Sequence, residues 1–495
     1  MGGRKYHSRA LFPTRPSRPI AAIRVRRGTA PTTMSNPPPS ASSRVFAYTP
    51  ERFAELAADA LAHARSLGAS DAAVDVSEGV GLSVSVRKGE VENVERNRDK
   101  SISVTVYAGQ RRGHASTSDF SRAALEQTVR AAWDIARFTA EDEAAGLPDE
   151  QDLALGDIAK RDLDLFHPWG IDVDGAADIA RRCEAAAFAV DPRIVNSEGA
   201  GVSAQQSHFH AANTRGFTGG YASSRHSISV APIAAEAGRD EMQRDAWYTS
   251  MRAPDELADP EAVGRYAAER ALSRLRSRKI GTREVPVLYE SALATGLIGA
   301  LVQATSGGAL YRKSSFLHDS LGQAVLAPHL DLHEDPHQPR GKGSAPFDDE
   351  GVVTRPRDVV AGGVLQGYFL SSYSARKLGM RPTGHSGGSH NLVLKSRLTD
   401  PDDDLDAMLR KLHRGFFVIE LMGQGVNVVT GDYSRGAAGF WVENGRIAHP
   451  VHEITIAGNL RDMLKGIVAV GADAYTLGSR TTGSVLIERM KIAGH

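Results

Sequence analysis

The chain has 495 residues, of which 41% are hydrophobic and 24% charged, the composition of a globular protein with two or three domains. Its formal charge is zero, but eight basic residues and no acidic residue fall within positions 1–33, which leaves a net charge of −8 on the remainder. A mildly acidic body argues against nucleic-acid binding, and the lack of any run of 18 apolar residues argues against a membrane span.

The basic N-terminal segment differs from the usual targeting signals. It lacks the apolar stretch of a secretory signal peptide, and its four prolines oppose the amphipathic helix of a transit peptide. The proline-rich stretch at 36–43 is typical of a linker. We therefore predict a disordered basic tail and linker over residues 1–45; the alternative is that the protein begins at Met34.

Residues 46–150 are predicted to form an α+β domain. Thr49 is suited to cap a helix that has Pro50 in its first turn and Gly68 after its end. A second amphipathic helix is predicted over residues 121–139. Between them, two stretches alternate apolar and polar residues as half-buried strands do, the apolar positions being Val84 and Val86 in one and Ile102, Val104 and Val106 in the other.

Residues 155–278 are predicted to form a second α+β domain, in which helices flank a strand-rich stretch. Cys183, on the first helical pattern, is the only cysteine of the chain, so no intrachain disulfide or cysteine-based zinc cage can form. This fits a reducing, cytoplasmic location, and we predict a core or helix-surface thiol rather than a catalytic one. His208 and His210 share one face of a strand and could chelate a metal, but no third ligand is near in sequence, so a packed or exposed pair is favoured.

Residues 282–495 are predicted to form a third, β-rich domain. It opens with a strand and an apolar helix of small residues, and many short strands follow. The dipeptide Asn444-Gly445 between two of these strands predicts a type I′ hairpin turn. The fold class is therefore α+β and multidomain, with N-terminal α/β units followed by a barrel- or sandwich-like C-terminal domain with packed helices.

The third domain contains the stretch His333-Glu334-Asp335-Pro336-His337, which matches the H-E-x-x-H pattern of zinc peptidases. That pattern requires a helix, which sets two imidazoles one turn apart and the glutamate beside the metal-bound water. Pro336 disfavours a helix here, so the stretch is predicted to be a short strand that runs into a loop. A metallopeptidase that uses His333, Glu334 and His337 remains an alternative only.

Two further patterns in this domain are weaker. The loop Gly384–Gly388 matches the G-x-S-x-G pattern of serine hydrolases, but a polar stretch precedes it and a strand follows, which inverts the context of a nucleophile elbow. Its backbone could instead hold an extended peptide. The acidic runs Asp348–Glu350 and Asp402–Asp404 are predicted to be solvated loops rather than cation sites.

The stretches "YFLSSYSARKLGMRPTGHSGGSHNLVL" and "ELMGQGVNVVTGDYSRGAAGFWVENGRIAHPVHEITIAGNLRDML" resemble the PmbA (TldE) branch of the TldD/PmbA metalloprotease family. The resemblance extends through "ALYRKSSFLHDSLGQ", "GSAPFDDEGV" and "SVLIERMKIAGH" and covers residues 49–495. It implies that the chain takes part in a peptidase built from two kinds of subunit.

The family's TldD-type subunit is expected to bind zinc through an H-E-x-x-x-H helix and a cysteine near the C-terminus. Aligned through the Arg312-Lys313 pair that follows this helix, the pattern falls on "GALVQA", with its histidines at Gly299 and Ala304 and its glutamate at Ala300. None of these residues can bind a metal or act as a base. The resemblance therefore implies no catalytic residue and no metal site in this chain, and zinc in a TldD-like partner.

What the resemblance implies is a non-catalytic subunit of a TldD/TldE-type zinc metalloprotease heterodimer that degrades or processes unfolded peptides. The candidates for substrate binding are His385 and His390 in the glycine-rich loop, with Tyr433 and Arg435 expected to be exposed at the tip of a turn over Gly431–Gly436. Capture of an extended peptide along a strand edge is the expected mode. No nucleic-acid or membrane partner is expected. A peptide-binding adaptor without any proteolytic role is a further alternative.

Overall fold

A computed structural model describes residues 45–494 of the chain. The predictions made for the basic tail, for a start at Met34 and for the linker lie outside these residues, apart from residue 45. The helices are α1 (Pro50–Ser66), α2 (Arg122–Phe138), α3 (Val173–Phe188), α4 (Pro260–Ser273), α5 (Ser291–Ala304), α6 (Gly307–Tyr311), α7 (Ser372–Lys377), α8 (Leu405–Leu412) and α9 (Leu460–Lys465).

Within residues 45–494 the strands form three sheets. They are β1 (Asp71–Arg87), β2 (Glu90–Ala108), β3 (Arg111–Thr117), β4 (Ile194–Asn213), β5 (Thr218–Gly219), β6 (Ala222–Ala235), β7 (Met242–Arg244), β8 (Trp247–Met251), β9 (Arg283–Tyr289), β10 (Leu330–Asp335), β11 (Arg357–Ala361), β12 (Val364–Leu365), β13 (Asn391–Ser396), β14 (Gly415–Met422), β15 (Asp432–Glu443), β16 (Arg446–Asn459), β17 (Ile467–Val470), β18 (Tyr475–Leu477), β19 (Arg480–Thr482) and β20 (Val485–Ala493).

The two N-terminal units share the first sheet, of strand order β3-β2-β1-β4-β6-β7, with β5 on β4 and β8 on β6. Helix α1 begins as predicted, because the Thr49 hydroxyl accepts the Arg52 N–H at 3.2 Å and Pro50 lies in the first turn. Helices α1 and α2 pack on one half of a sheet face, and α3 and α4 pack on the other half. The valines predicted to alternate, Val84 and Val104 among them, point into this layer and are buried.

The opposite face of the first sheet is polar, and we call it the polar face. Because side chains alternate along a strand, every second residue of each strand points to it. Its members, half-buried or exposed, include Asp75, Ser77, Ser103, Ser203, Gln205, Ser207, Ser223, Arg225 and Ser227. The C-terminal region packs against this face, since the ring of Phe347 contacts those of Phe209, Phe217 and Tyr221.

The C-terminal region is β-rich, as predicted. Strands β16-β15-β14-β9-β20 form a closed barrel, because β16 also pairs with β20, and β17 extends the sheet from β20. A second sheet runs β12-β11-β10-β13-β19-β18. The Asn444-Gly445 turn joins β15 to β16 with both residues at positive φ (52° and 71°), as a type I′ turn requires.

Helix α5 lies between the two C-terminal sheets and contacts β14, β18 and β19. Its residues Leu297, Ile298 and Leu301 belong to the largest buried apolar cluster of the molecule. Among residues 45–494, no helix is both long enough and apolar enough to cross a bilayer.

Candidate functional site

The H-E-x-x-H stretch lies on a strand, as its proline predicted. His333 and Glu334 are neighbours on β10, so their side chains leave opposite faces of the sheet. His333 is exposed and its Nδ1 lies 2.8 Å from Asp358 Oδ1, whereas Glu334 is fully buried. His337 follows the strand and contacts Arg161 and Thr354. The three side chains therefore do not converge, and residues 45–494 contain no group of three His, Cys, Asp or Glu side chains placed to hold a metal ion.

Glu334 is the centre of a buried network that the sequence did not indicate. Its Oε2 accepts hydrogen bonds from Arg357 Nε and from His385 Nε2, both at 2.8 Å. Its Oε1 accepts the backbone N–H of His390 at 2.7 Å. The carboxylate thus joins β10 to β11 and to the loop at 384–390. We call these residues the Glu334 network.

The electrostatics of this network favour an ionised glutamate beside a neutral histidine. Burial raises the pKa of Glu334, but the His385 N–H and the Arg357 guanidinium outweigh it and hold that pKa at about 2. Burial lowers the pKa of His385. The neutral ring donates from Nε2 to Glu334, while its Nδ1 accepts from the Thr383 hydroxyl at 2.8 Å.

The two histidines proposed for substrate binding are buried, each with 7% of its surface exposed. His385 contacts Glu334, and His390 donates from Nε2 to the carbonyl of Gly384 at 2.9 Å and closes the loop on itself. Both side chains therefore hold the loop in place. The exposed part of the loop is the backbone at Gly387 and Gly388, at φ values of 100° and 122°.

The expected exposure of Tyr433 and Arg435 is wrong. All residues of the predicted turn except Gly431 belong to strand β15, where Tyr433 is 5% exposed and packs beside the fully buried Tyr289. Arg435 is half-buried and its Nη2 lies 3.5 Å from the carbonyl of Leu421. The alternation of the strand turns Tyr433 into the core, so it is not a surface for a ligand.

The acidic runs are not solvated loops throughout. Asp348 is 5% exposed and accepts the backbone N–H groups of Glu350, Val352 and Ser386, while burial raises its pKa to about 7. Asp403 is also buried. These carboxylates fix loop backbone in place because buried N–H groups need acceptors.

The pair His208 and His210 is packed, one of the two arrangements that the sequence favoured over a metal site. The ring of His208 stacks between Phe46 and Phe53, with centroid distances of 4.1 and 4.3 Å. His210 contacts the hydroxyl of Thr218. Cys183 is likewise buried, and burial raises the pKa of its thiol to about 12, which argues against a nucleophilic role.

The positions inferred for an emptied zinc helix lie on α5. Ala300 and Ala304 are buried in the apolar core, and Gly299 faces Arg480 of strand β19. A Cβ atom added to Gly299 would lie only 2.7 Å from Arg480 Nη1. The guanidinium thus fills the space beside the helix at this point.

A second cationic group, missed from the sequence, lies at the polar face. Arg225 of β6 and Arg252, which follows β8, both donate to the carbonyl of Lys342, each at 3.1 Å. None of these three cations forms an ion pair anywhere in the described part of the chain. No short motif contains them, since they come from sequence positions more than 25 residues apart that only the fold brings together.

Comparisons with known proteins agree with this architecture. Three family models match in succession: PmbA/TldA metallopeptidase domain 1 over residues 72–136, the central domain over 166–275 and the C-terminal domain over 282–494. The metalloprotease PmbA of Escherichia coli O157:H7 is 50% identical over 428 residues, or 86% of this chain and 93% of that protein. A PmbA homologue of Haemophilus influenzae is 47% identical over 87% of this chain and 94% of its own length.

Solved structures show the same fold. A protein from Bacteroides thetaiotaomicron superposes with a TM-score of 0.84 at 28% identity, over 90% of this chain and all of that chain. TldE from Thermococcus kodakarensis superposes with a TM-score of 0.76 at 19% identity, over 89% of this chain and all of that one.

Proposed function

Because this chain belongs to the PmbA/TldD family of metallopeptidases, we propose that it is the non-catalytic subunit of a two-subunit zinc peptidase. Its role is to pair with a TldD-like subunit, which holds the zinc, and to provide surface that binds unfolded or extended peptides. Relatives of both kinds are similar to it: a TldD homologue of Buchnera aphidicola is 24% identical over 41% of the chain.

The contact between Arg480 and Gly299 carries this proposal. Zinc sites are built from neutral imidazoles, thiolates and carboxylates, and the positions inferred for the metal helix offer Gly299, Ala300 and Ala304 instead. Arg480 places a permanent positive charge against Gly299, and that charge repels a divalent cation. Its Nε is buried and has no hydrogen-bond partner among residues 45–494. The residues present therefore do not fit a zinc ion.

The Glu334 network also supports a non-catalytic role for this chain. A catalytic base must reach a metal-bound water, but both oxygens of Glu334 already accept hydrogen bonds from Arg357, His385 and His390. A pKa near 2 also leaves this carboxylate a weak base. The alternative of a metallopeptidase acting through His333, Glu334 and His337 has no supporting observation in the fold.

The test measures zinc and peptidase activity in parallel. We expect the purified, tag-free chain to contain almost no zinc by elemental mass spectrometry and to leave an unfolded peptide uncleaved. Co-expressed with a TldD-like subunit, it should give about one zinc per pair and active peptidase. Stoichiometric zinc with cleavage by the isolated chain would overturn the proposal. A stable chain that binds peptides but activates no TldD-like subunit would identify an adaptor instead.

A further inference from the structure

Three cationic side chains converge where the loop Gly341–Gly343 crosses the polar face. Arg225 Nη2 donates to the Lys342 carbonyl at 3.1 Å, and Arg252 donates to the carbonyls of Gly341 and Lys342 at 3.0 and 3.1 Å. The two arginines thus hold the loop on the sheet. The side chain of Lys342 does not help to hold the loop, since its Nζ forms no hydrogen bond and no ion pair with any residue from 45 to 494.

This arrangement concentrates positive charge without compensation. Burial, together with the charges of Arg225 and Arg252, lowers the pKa of Lys342 to about 8. Burial, together with the charge of Arg225, lowers the pKa of Arg252 to about 10. Like charges brought together in a partly desolvated site oppose folding, and a bound anion would relieve the repulsion. The amine of Lys342 therefore lies near two other cations without an anionic partner among residues 45–494.

The surroundings of the three cations suit a peptide. Around Arg225, the paired strands β4 and β6 present the half-buried or exposed side chains of Ser203, Gln205, Ser207, Ser223 and Ser227. Hydroxyl and amide groups both donate and accept hydrogen bonds, as a peptide backbone requires. Tyr248 lies on the same face; burial raises its pKa, and the nearby charge of Arg225 opposes that rise.

The charges along the polar face are also ordered. Asp75 faces Asp349 of the C-terminal region, and burial together with that neighbouring charge raises the pKa of Asp75 to about 6. Asp75 pairs with Ala211 and Arg225 pairs with Gln205, so six residues of β4 separate the two levels. At about 3.3 Å per residue, the acidic and basic ends are about 20 Å apart along the strand. The ring of Phe347 packs on Phe209 between these two levels, so a peptide held at Arg225 does not extend to the acidic end.

We propose that Lys342 and Arg225 form a carboxylate-binding site that receives the C-terminal end of an extended peptide. This deepens the proposed function and rests on the peptide-binding role assigned there. Arg252 positions the loop and does not need to touch the ligand.

The experiment uses the isolated full-length chain and calorimetric titration with three unstructured hexapeptides of one sequence. The first has a free C-terminal carboxylate, the second a C-terminal amide, and the third an amide with glutamate at its last position. We expect the free acid to bind about tenfold to 100-fold more tightly than the first amide, the range of a charge-assisted hydrogen bond. Recovery of affinity by the third peptide would show that a side-chain carboxylate serves as well as the terminal one.

Variants identify the site. Lys342→Gln should abolish the difference between acid and amide, and circular dichroism should show it folded, because Nζ has no partner to lose. Arg225→Gln should reduce the difference. Lys465→Gln, an exposed lysine on α9 remote from the polar face, is the matched control and should leave both affinities unchanged.

The outcomes separate this inference from the proposed function. Equal binding of acid and amide would overturn the carboxylate site and leave peptide binding intact. Failure of all three peptides to bind would overturn both. If Lys342→Gln and Lys465→Gln lose the preference for the free acid equally, the preference depends only on the net charge of the protein, and the site is overturned as well. A preserved acid preference in a chain that activates no peptidase would retain the site and refute the subunit role.

Discussion

Replacement of Glu334 by glutamine tests whether the Glu334 network holds the C-terminal region together. The substitution keeps the volume but removes the charge opposite Arg357, whose side chain is only 19% exposed. It also places an NH2 group among N–H donors, since both carboxylate oxygens accept hydrogen bonds in the folded protein. Removal of one partner of a buried ion pair costs about 3–5 kcal/mol, so we expect a loss of this size in the free energy of unfolding.

The pH dependence follows from the same carboxylate. Its pKa is about 2 in the folded protein and near 4.3 in an unfolded chain, so its contribution of about 3 kcal/mol is complete above about pH 5. A depressed folded pKa means that this contribution is lost as the pH falls from about 5 toward 2. Glu334→Gln should flatten this part of the acid-stability profile.

The assay is urea unfolding followed by circular dichroism at several pH values. Asp358→Asn is the matched control, because Asp358 pairs with His333 on the exposed side of the same strands and should change stability by less than about 1 kcal/mol. The reasoning is refuted if the two variants lose equal stability. A Glu334→Gln protein with unchanged stability but abolished metal-dependent cleavage would instead support the metallopeptidase alternative.

Three further predictions concern contacts of single residues. Gly296→Ala should stabilise α5 by about 0.5–1 kcal/mol, because no atom lies within 4 Å of the new methyl group. Gly299→Ala should stabilise the helix less, because Arg480 must move to make room for the methyl group. The double variant Gly299→Ala, Arg480→Met should recover the full stabilisation, measured in a thermal melt. Gly445→Ala should lower the free energy of unfolding by about 1–2 kcal/mol, since the φ of this residue is 71° and the new methyl group would lie 2.9 Å from the backbone of α8. An unchanged midpoint of urea unfolding would contradict the turn geometry. Cys183 should react with a thiol reagent only after unfolding, because it is buried with a raised pKa, and rapid labelling of the native protein would contradict its placement.

Local features of the fold could be predicted because their causes are local. Thr49 and Pro50 fix the start of α1 through one side-chain hydrogen bond and one restricted φ. Asn444 and Gly445 fix a hairpin because both tolerate positive φ. Pro336 excluded a helix from the H-E-x-x-H stretch, and the structure has a strand there.

The candidate sites could be predicted only in part. The proposal that Gly299, Ala300 and Ala304 occupy the family's zinc-ligand positions rests on residue type and alignment alone. The error at Tyr433 has a simple physical origin: a stretch rich in glycine and polar residues was predicted as a turn, whereas pairing with β16 makes it a strand and directs the tyrosine inward. Register across strands is a tertiary property, and a shift of one residue exchanges the two faces.

Residue types and spacings of a few positions were enough to predict the family and the α+β class, because both depend on patterns that are local in the sequence. What lies beside Gly299 depends instead on the tertiary structure. The barrel brings Tyr289 beside Val485, and the second sheet brings Arg480 beside Gly299. The convergence of Arg225 with Lys342 has the same origin. The two residues of each of these pairs are more than a hundred positions apart in the sequence, so no local pattern encodes the contact. Burial of the shared core brings them together.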